Sequence, residues 1–251
     1  MARYDIRTPR LYADSALTAG AAVALEPPQA HYLLHVLRLR GGDPVLLFNG
    51  RDGEWRGQLE TPGKRTVSVR LEENTRPQTA LGNLHYWFAP LKHSRLDYMT
   101  QKAVEMGASL LQPVITRHTQ AARVNLDRMR ANAVEAAEQC GILTLADVVT
   151  PLGLAEALAQ REPSRLLIFC DEDAEVKDPV VALRGARHAQ AGDAPIALLV
   201  GPEGGFAEDE RAMLLHAPNV LRLALGPRIL RADTAAVAAL ALVQAVLGDW
   251  R

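Results

Sequence analysis

Two segments of the chain carry the residues best suited to chemistry: Leu199-Val-Gly-Pro-Glu-Gly-Gly-Phe206 and Leu225-Gly-Pro-Arg-Ile-Leu-Arg-Ala-Asp-Thr-Ala235. Each continues an apolar run that reads as a buried strand. Each then places glycine and proline where backbone would approach a ligand, before a helix begins. Two such loops can form one pocket. The first, Gly201-Pro-Glu-Gly-Gly205, has neither the spacing of a dinucleotide fingerprint nor the Gly-Lys-Ser/Thr ending of a phosphate loop. The turn that follows, Ala207-Glu-Asp-Glu210, sets three carboxylates at a helix N-terminus, which would repel a bound pyrophosphate. A nucleoside-like ligand without phosphate, or one carrying positive charge, suits these loops better, and S-adenosylmethionine with its sulfonium is such a ligand. The alternative is a strand-to-helix turn that binds nothing.

The elements that must position these loops can be read from the chain's changing periodicity. A polar stretch, Glu72-Glu-Asn-Thr-Arg-Pro-Gln-Thr79, looks like a linker. Before it, strand-like runs at Pro44–Phe48, Glu54–Leu59 and Arg65–Leu71 are separated by glycine-containing turns, the pattern of a small β-barrel, with one helix from Pro28 to Leu39 closed by Gly41-Gly42. After it, strands and helices alternate. Leu84–Ala89 precedes a helix that Ser94 can cap, with Asp97 three residues on and Gly107 at its end. A second helix runs from Asn125 to Cys140 and stops at Gly141, and Asp178-Pro179 opens a third. Such alternation predicts an α/β domain with a mostly parallel sheet covered on both faces, its ligand at the carboxyl ends of the strands. The expected division is residues 1–74 as a barrel and 75–251 as the α/β domain.

Composition bounds the function classes. The 251 residues, 48% hydrophobic and 23% charged, suffice for a full core. Residues Met1 to Arg10 carry arginines without a following apolar run and do not read as a secretory signal. Thr234–Leu247 is apolar but too short for a bilayer, so it reads as a buried helix. A soluble, cytoplasmic protein is expected. Cys140 and Cys170 lack partners at metal-ligand spacing and are assigned to core packing, with neither a disulfide nor a metal. The net charge of -1 argues against a uniformly basic surface but leaves local RNA-binding patches open. The seven histidines form no triad with a serine or cysteine.

On the paired loops, and on Gln101-Lys-Ala-Val-Glu-Met-Gly107, Glu135-Ala-Ala-Glu-Gln-Cys-Gly141 and His35-Val-Leu-Arg-Leu-Arg-Gly-Gly-Asp43, the chain resembles the RsmE family of bacterial 16S ribosomal RNA uridine N3-methyltransferases, within the SPOUT superfamily. The resemblance covers nearly the whole length. It implies an N-terminal PUA-like β-barrel that helps bind RNA and a C-terminal α/β domain with a deep trefoil knot, which topology rules alone would have rejected. It also implies a homodimer with its active site near the subunit interface and 16S ribosomal RNA of the small subunit as substrate. Carried onto matching positions, Leu199, Val200, Gly201, Glu203, Gly204 and Gly205 line one side of S-adenosylmethionine, and Leu225, Gly226, Ile229, Leu230 and Ala235 the other, largely through backbone. Two departures stand out. Ala232-Asp233-Thr234 replaces the usual Thr-Glu-Thr, and Ile142 follows Gly141 where arginine is usual.

Methyl transfer from a sulfonium is an in-line displacement needing no metal, so catalysis would come mostly from orientation. Uracil N3 carries a proton and becomes a good nucleophile only as the anion, which a nearby cation would stabilise. Arg231 is the candidate for that cation; its alternative role is an ion pair with Glu203 or Asp233. Glu203 can orient a ligand or close its turn, and Asp233 and Thr234 read foremost as caps for the last helix. Arg3, Arg7, Arg10, Arg38 and Arg40 are the candidate RNA contacts, with Lys64-Arg65, Arg117-His118, Arg123, Arg128 and Arg130 as further options; each alone is an ordinary solvated charge in most proteins. Competing readings are a SPOUT enzyme acting on a ribose 2′-hydroxyl or another base, and a non-catalytic RNA-binding module. Against the latter stands retention of both glycine loops and Arg231.

Overall fold

A computed structural model describes residues 5–61, 66–121, 123–189 and 194–250. Arg3, Lys64 and Arg65 lie outside them. The chain divides into two compact units, one of residues up to Leu81 with Val134–Leu145, the other of Gly82–Ala133 with Ala146 onward.

The first unit is a half-barrel. Strands β1 (Arg10–Tyr12), β2 (Ala22–Ala24), β3 (Pro44–Phe48), β4 (Glu54–Glu60) and β5 (Ser68–Arg76) form one sheet in the order β1-β3-β4-β5-β2. Only the β1–β3 pair is parallel. Alternate residues Val45 and Leu47, with Leu59, Val69 and Leu71, fill its core together with Leu11, Val23 and Leu33. Phe48 packs instead with Ala137 and Leu143, so β3 is buried along nearly its whole length. The expected helix is shorter than its apolar pattern. It runs as α1 (Pro27–His31), widens into a π turn over Tyr32–Val36, and ends where Arg38 takes a left-handed φ of 58°. The Leu37 N–H bond to Tyr32 O, five residues back, is the wider turn itself.

The second unit is a parallel α/β layer structure. Its strands are β6 (Leu84–Phe88), β7 (Leu110–Ile115), β8 (Asp147–Val148), β9 (Leu152–Gly153), β10 (Leu166–Cys170), β11 (Ile196–Val200) and β12 (Val220–Leu223). They run in the order β12-β10-β11-β6-β7-β8, with β9 beside β7, every pair parallel. Its helices are α2 (His93–Glu105), α3 (Leu126–Cys140, whose last residues belong to the first unit), α4 (Leu154–Gln160), α5 (Pro179–Ala189), α6 (Glu208–His216) and α7 (Ala232–Val246). One sheet face, carrying Trp87, Leu167, Phe169, Ala197 and Leu199, packs against Leu154 and Ala157 of α4 and Leu214 of α6. Toward α2 and α5 lies alanine-rich α7, which contacts β11 and buries Ala235, Ala236, Ala239, Leu240 and Val243. Among the described residues no helix is long and apolar enough to cross a membrane.

Local expectations fared unevenly. Asp178 does cap α5, its Oδ1 accepting from Val180 and Val181 N–H, and Asn125 caps α3 through Arg128 N–H. Ser94 does not cap α2. The N-cap is Lys92, without a side-chain bond, so Ser94 sits inside the first turn. Cys140 is not a core residue either. It is exposed on the last turn of α3, just before Gly141 turns the chain at positive φ.

Candidate active site

The first loop leaves the central, fully buried strand β11 at Gly201. A Cβ there would fall 2.9 Å from the Phe206 ring, so glycine is what lets Phe206 fold back and meet Phe169 edge-on at 6.1 Å. Gly205 donates to Pro202 O (2.9 Å) and takes a φ of 68°, closing a tight turn that most side chains would strain. Glu208, Asp209 and Glu210 then occupy the first turn of α6, as the sequence implied, and Glu210 reaches back to accept from Ala207 N–H at 3.0 Å. The second loop leaves β12 through buried Ala224, turns at Gly226 with a φ of 90°, and enters α7 with Arg231 as its N-cap residue.

Parallel strands bring both loops to one end of the sheet, and a residue absent from the sequence reading ties them together. Arg95, in the first turns of α2, donates Nη1 to Glu203 Oε1 at 2.7 Å, and Nε and Nη2 to the two oxygens of Asp233 at 3.0 and 3.2 Å. A planar guanidinium thus clips the first loop to the start of α7. The bond to Arg95 holds the Asp233 carboxyl below the usual carboxylate range, and the same bond raises Arg95. A second clip joins β10, β12 and α6. Buried Asp171, directly after β10, accepts from Arg222 of β12 (2.7 Å) and Arg211 of α6 (3.1 Å).

Arg95 takes the partners that the sequence offered to Arg231. Glu203 and Asp233 both pair with Arg95, and the Arg231 side chain is exposed with no ion pair among the described residues. Nor does Asp233 act as the N-cap. It is the second helical residue, accepting from Thr234 N–H at 2.9 Å.

The candidate ligand-contact residues differ in exposure. Leu199 and Val200 are core side chains, Ala235 is buried on α7, and Ile229 stands wholly exposed at 102%. Leu225 and Leu230 are half-buried.

Arg10 leaves the RNA-contact set. It is buried, with Nε on Glu54 at 2.6 Å and its other nitrogens on the carbonyls of Glu138 and Asp5 at 3.2 Å, so its guanidinium is engaged inside the protein. Arg7, Arg38 and Arg40 are exposed and free of ion pairs among the described residues. Sequence spacing could flag Asp171 as a charge closing an apolar strand, but nothing local marks Arg95, whose partners lie 108 and 138 residues away.

Comparison with known proteins agrees with this architecture. Residues 77–244 match the family described as RNA methyltransferase domain, and residues 25–72 the RNA methyltransferase PUA domain. The ribosomal RNA small subunit methyltransferase E of Rickettsia conorii is 31% identical over 236 residues, covering 94% of each chain. The protein of that name from Synechocystis is 33% identical, covering 90% of this chain and 74% of that one. A crystal structure of the Neisseria gonorrhoeae protein of that name, bound to S-adenosyl methionine, superposes with a TM-score of 0.82 at 29% identity over 98% of this chain and 100% of that one. A putative methyltransferase from Legionella pneumophila, in complex with the same cofactor, gives a TM-score of 0.76 at 27% identity, covering 95% and 98%.

Proposed function

This chain belongs to the ribosomal RNA small subunit methyltransferase E family, and we propose that it transfers a methyl group from S-adenosylmethionine to N3 of a uridine in 16S ribosomal RNA, U1498 by family resemblance. The observation that carries the reading is the convergence of two glycine turns, fastened by Arg95, beside an arginine with no protein partner among the described residues.

The residues present fit that cofactor. Three carboxylates crowd the start of α6 and disfavour phosphate, while the positive-φ glycines Gly205 and Gly226 have open space where a Cβ would stand. The loop backbones of residues 200–205 and 225–230 would hold it. When bound, it supplies an electrophilic methyl group on a sulfonium. Arg231 offsets the negative charge on the uracil oxygens as N3 loses its proton, and Glu203, fixed by Arg95, orients the ligand.

We further propose that residues 1–74 serve RNA binding and 75–251 catalysis, with Arg7, Arg38 and Arg40 on phosphates. The C-terminal domain would be knotted, and the protein a cytoplasmic homodimer whose interface covers Ile229. Calorimetry tests the cofactor assignment. S-adenosylmethionine or its demethylated product should bind with a Kd in about the micromolar range, ~8 kcal/mol of binding free energy, and NAD or ATP should not bind. Tight NAD binding without any response to S-adenosylmethionine would overturn it.

A further inference from the structure

The turn after β7, Thr116–Thr119, lies against the first glycine loop. Thr116 N–H donates to Thr119 Oγ1 at 2.8 Å, which closes the turn on itself. Arg117 N–H donates to Oε1 of buried Glu210 at 2.7 Å, while the other oxygen of Glu210 holds Ala207 N–H. The turn and the start of α6 therefore share one carboxylate. Between these anchors, His118 places Nδ1 3.1 Å from the carbonyl oxygen of Gly204 and 3.1 Å from that of Gly205. A Cβ at Gly204 would fall 3.3 Å from the His118 Cβ, so the two segments are in close contact.

Carbonyl oxygens only accept, so this geometry requires the proton on Nδ1 and leaves Nε2 outside the contact. A trans peptide points its N–H opposite to its C=O. Holding the Gly205 carbonyl therefore directs Phe206 N–H to the far side of the loop, and that N–H has no protein acceptor among the described residues. Within the loop itself, one backbone hydrogen bond, Gly205 to Pro202, restrains two consecutive glycines, the residues that lose most freedom on ordering.

We propose that His118 is a positioning residue for the cofactor loop. Its Nδ1–H clamps the carbonyls of Gly204 and Gly205, fixing the loop's course and the far-side Phe206 N–H before ligand arrives and so reducing the ordering that binding must otherwise impose. The role in methyl transfer rests on the methyltransferase reading; the clamp itself does not.

The experiment uses the full chain and three variants. In His118→Leu the Kd for S-adenosylmethionine should rise about tenfold, the scale of one net hydrogen bond, and hydrogen exchange across residues 201–206 of the unliganded protein should accelerate, with exchange in β10 unchanged. His118→Asn, whose amide N–H can stand where Nδ1–H does, should restore both. His118→Gln, which extends its amide toward the Nε2 position, should not. Exchange and affinity both at the wild-type level in His118→Leu would overturn the proposal. So would rescue by Gln as complete as by Asn, which would transfer the role to Nε2. If wild-type protein fails to bind S-adenosylmethionine, the methyltransferase reading fails, and exchange in the three variants still decides the clamp.

Discussion

Arg95 and Arg231 stand in different surroundings, and on the proposed function they take different roles. Arg95 is spent on Glu203 and Asp233, whereas Arg231, an exposed N-cap residue, keeps its guanidinium available. Arg231→Ala should therefore lower the methylation rate by about a hundredfold or more with little change in cofactor affinity, the usual cost of removing a preorganised charge-stabilising donor. Raising the pH should partly rescue it, because hydroxide can remove the N3 proton that the variant no longer acidifies. Arg231→Lys should recover only part, since a point charge cannot reproduce the planar fork. A fall in activity matched by a fall in melting temperature would assign Arg231 to structure instead. Arg95→Ala should behave differently. Loss of the clip frees both carboxylates, so cofactor Kd should rise by about tenfold, one unpaired charged hydrogen bond or so, and calorimetry showing unchanged affinity would remove Arg95 from the site.

At the scale of elements, the two glycine turns should separate cofactor binding from RNA binding. Gly226→Val forces a branched side chain into a φ of 90°, so cofactor binding should be abolished while RNA affinity in a filter-binding assay stays near wild type. Gly204→Val acts by another route, pressing on His118 at 3.3 Å, and should have the same selectivity. Normal cofactor binding by both folded variants would make the loops structural turns only. These turns were legible because a buried strand followed by glycine and proline is a local pattern, and β11 and the carboxylate-rich start of α6 follow it closely. The clips were not. Arg95 meets Glu203 because β6 and β11 are neighbours in a parallel sheet, and Asp233 because α2 packs on α7, an arrangement that periodicity does not encode. Arg10 failed for a related reason: three residues of β1 are too few to reveal which face is buried, and its partner Glu54 lies 44 residues on. The π turn of Tyr32–Val36 was invisible because an apolar helical pattern does not distinguish turn widths.

At the scale of the whole molecule, acid should weaken the fold through His85 of β6. Burial chiefly, then the nearby Arg165 charge, lowers its pKa from 6.5 to about 4. The unfolded chain takes up this proton before the folded one does, so stability is full above about 6.5 and falls as the pH drops toward 4. His85→Phe should flatten the melting temperature over that window; an unchanged slope would place the acid sensitivity elsewhere. On the reading proposed above, the molecule joins an RNA-binding half-barrel to a parallel α/β domain whose loops hold a methyl donor. The measurement that tests it most directly incubates the purified protein with labelled S-adenosylmethionine and small ribosomal subunits from cells lacking it, then maps modified nucleosides by mass spectrometry. Label confined to 3-methyluridine at one 16S position, and accumulating about a hundredfold more slowly or worse with Arg231→Ala, is the predicted result. Label on a ribose 2′-hydroxyl or another base, or none despite bound cofactor, would contradict it.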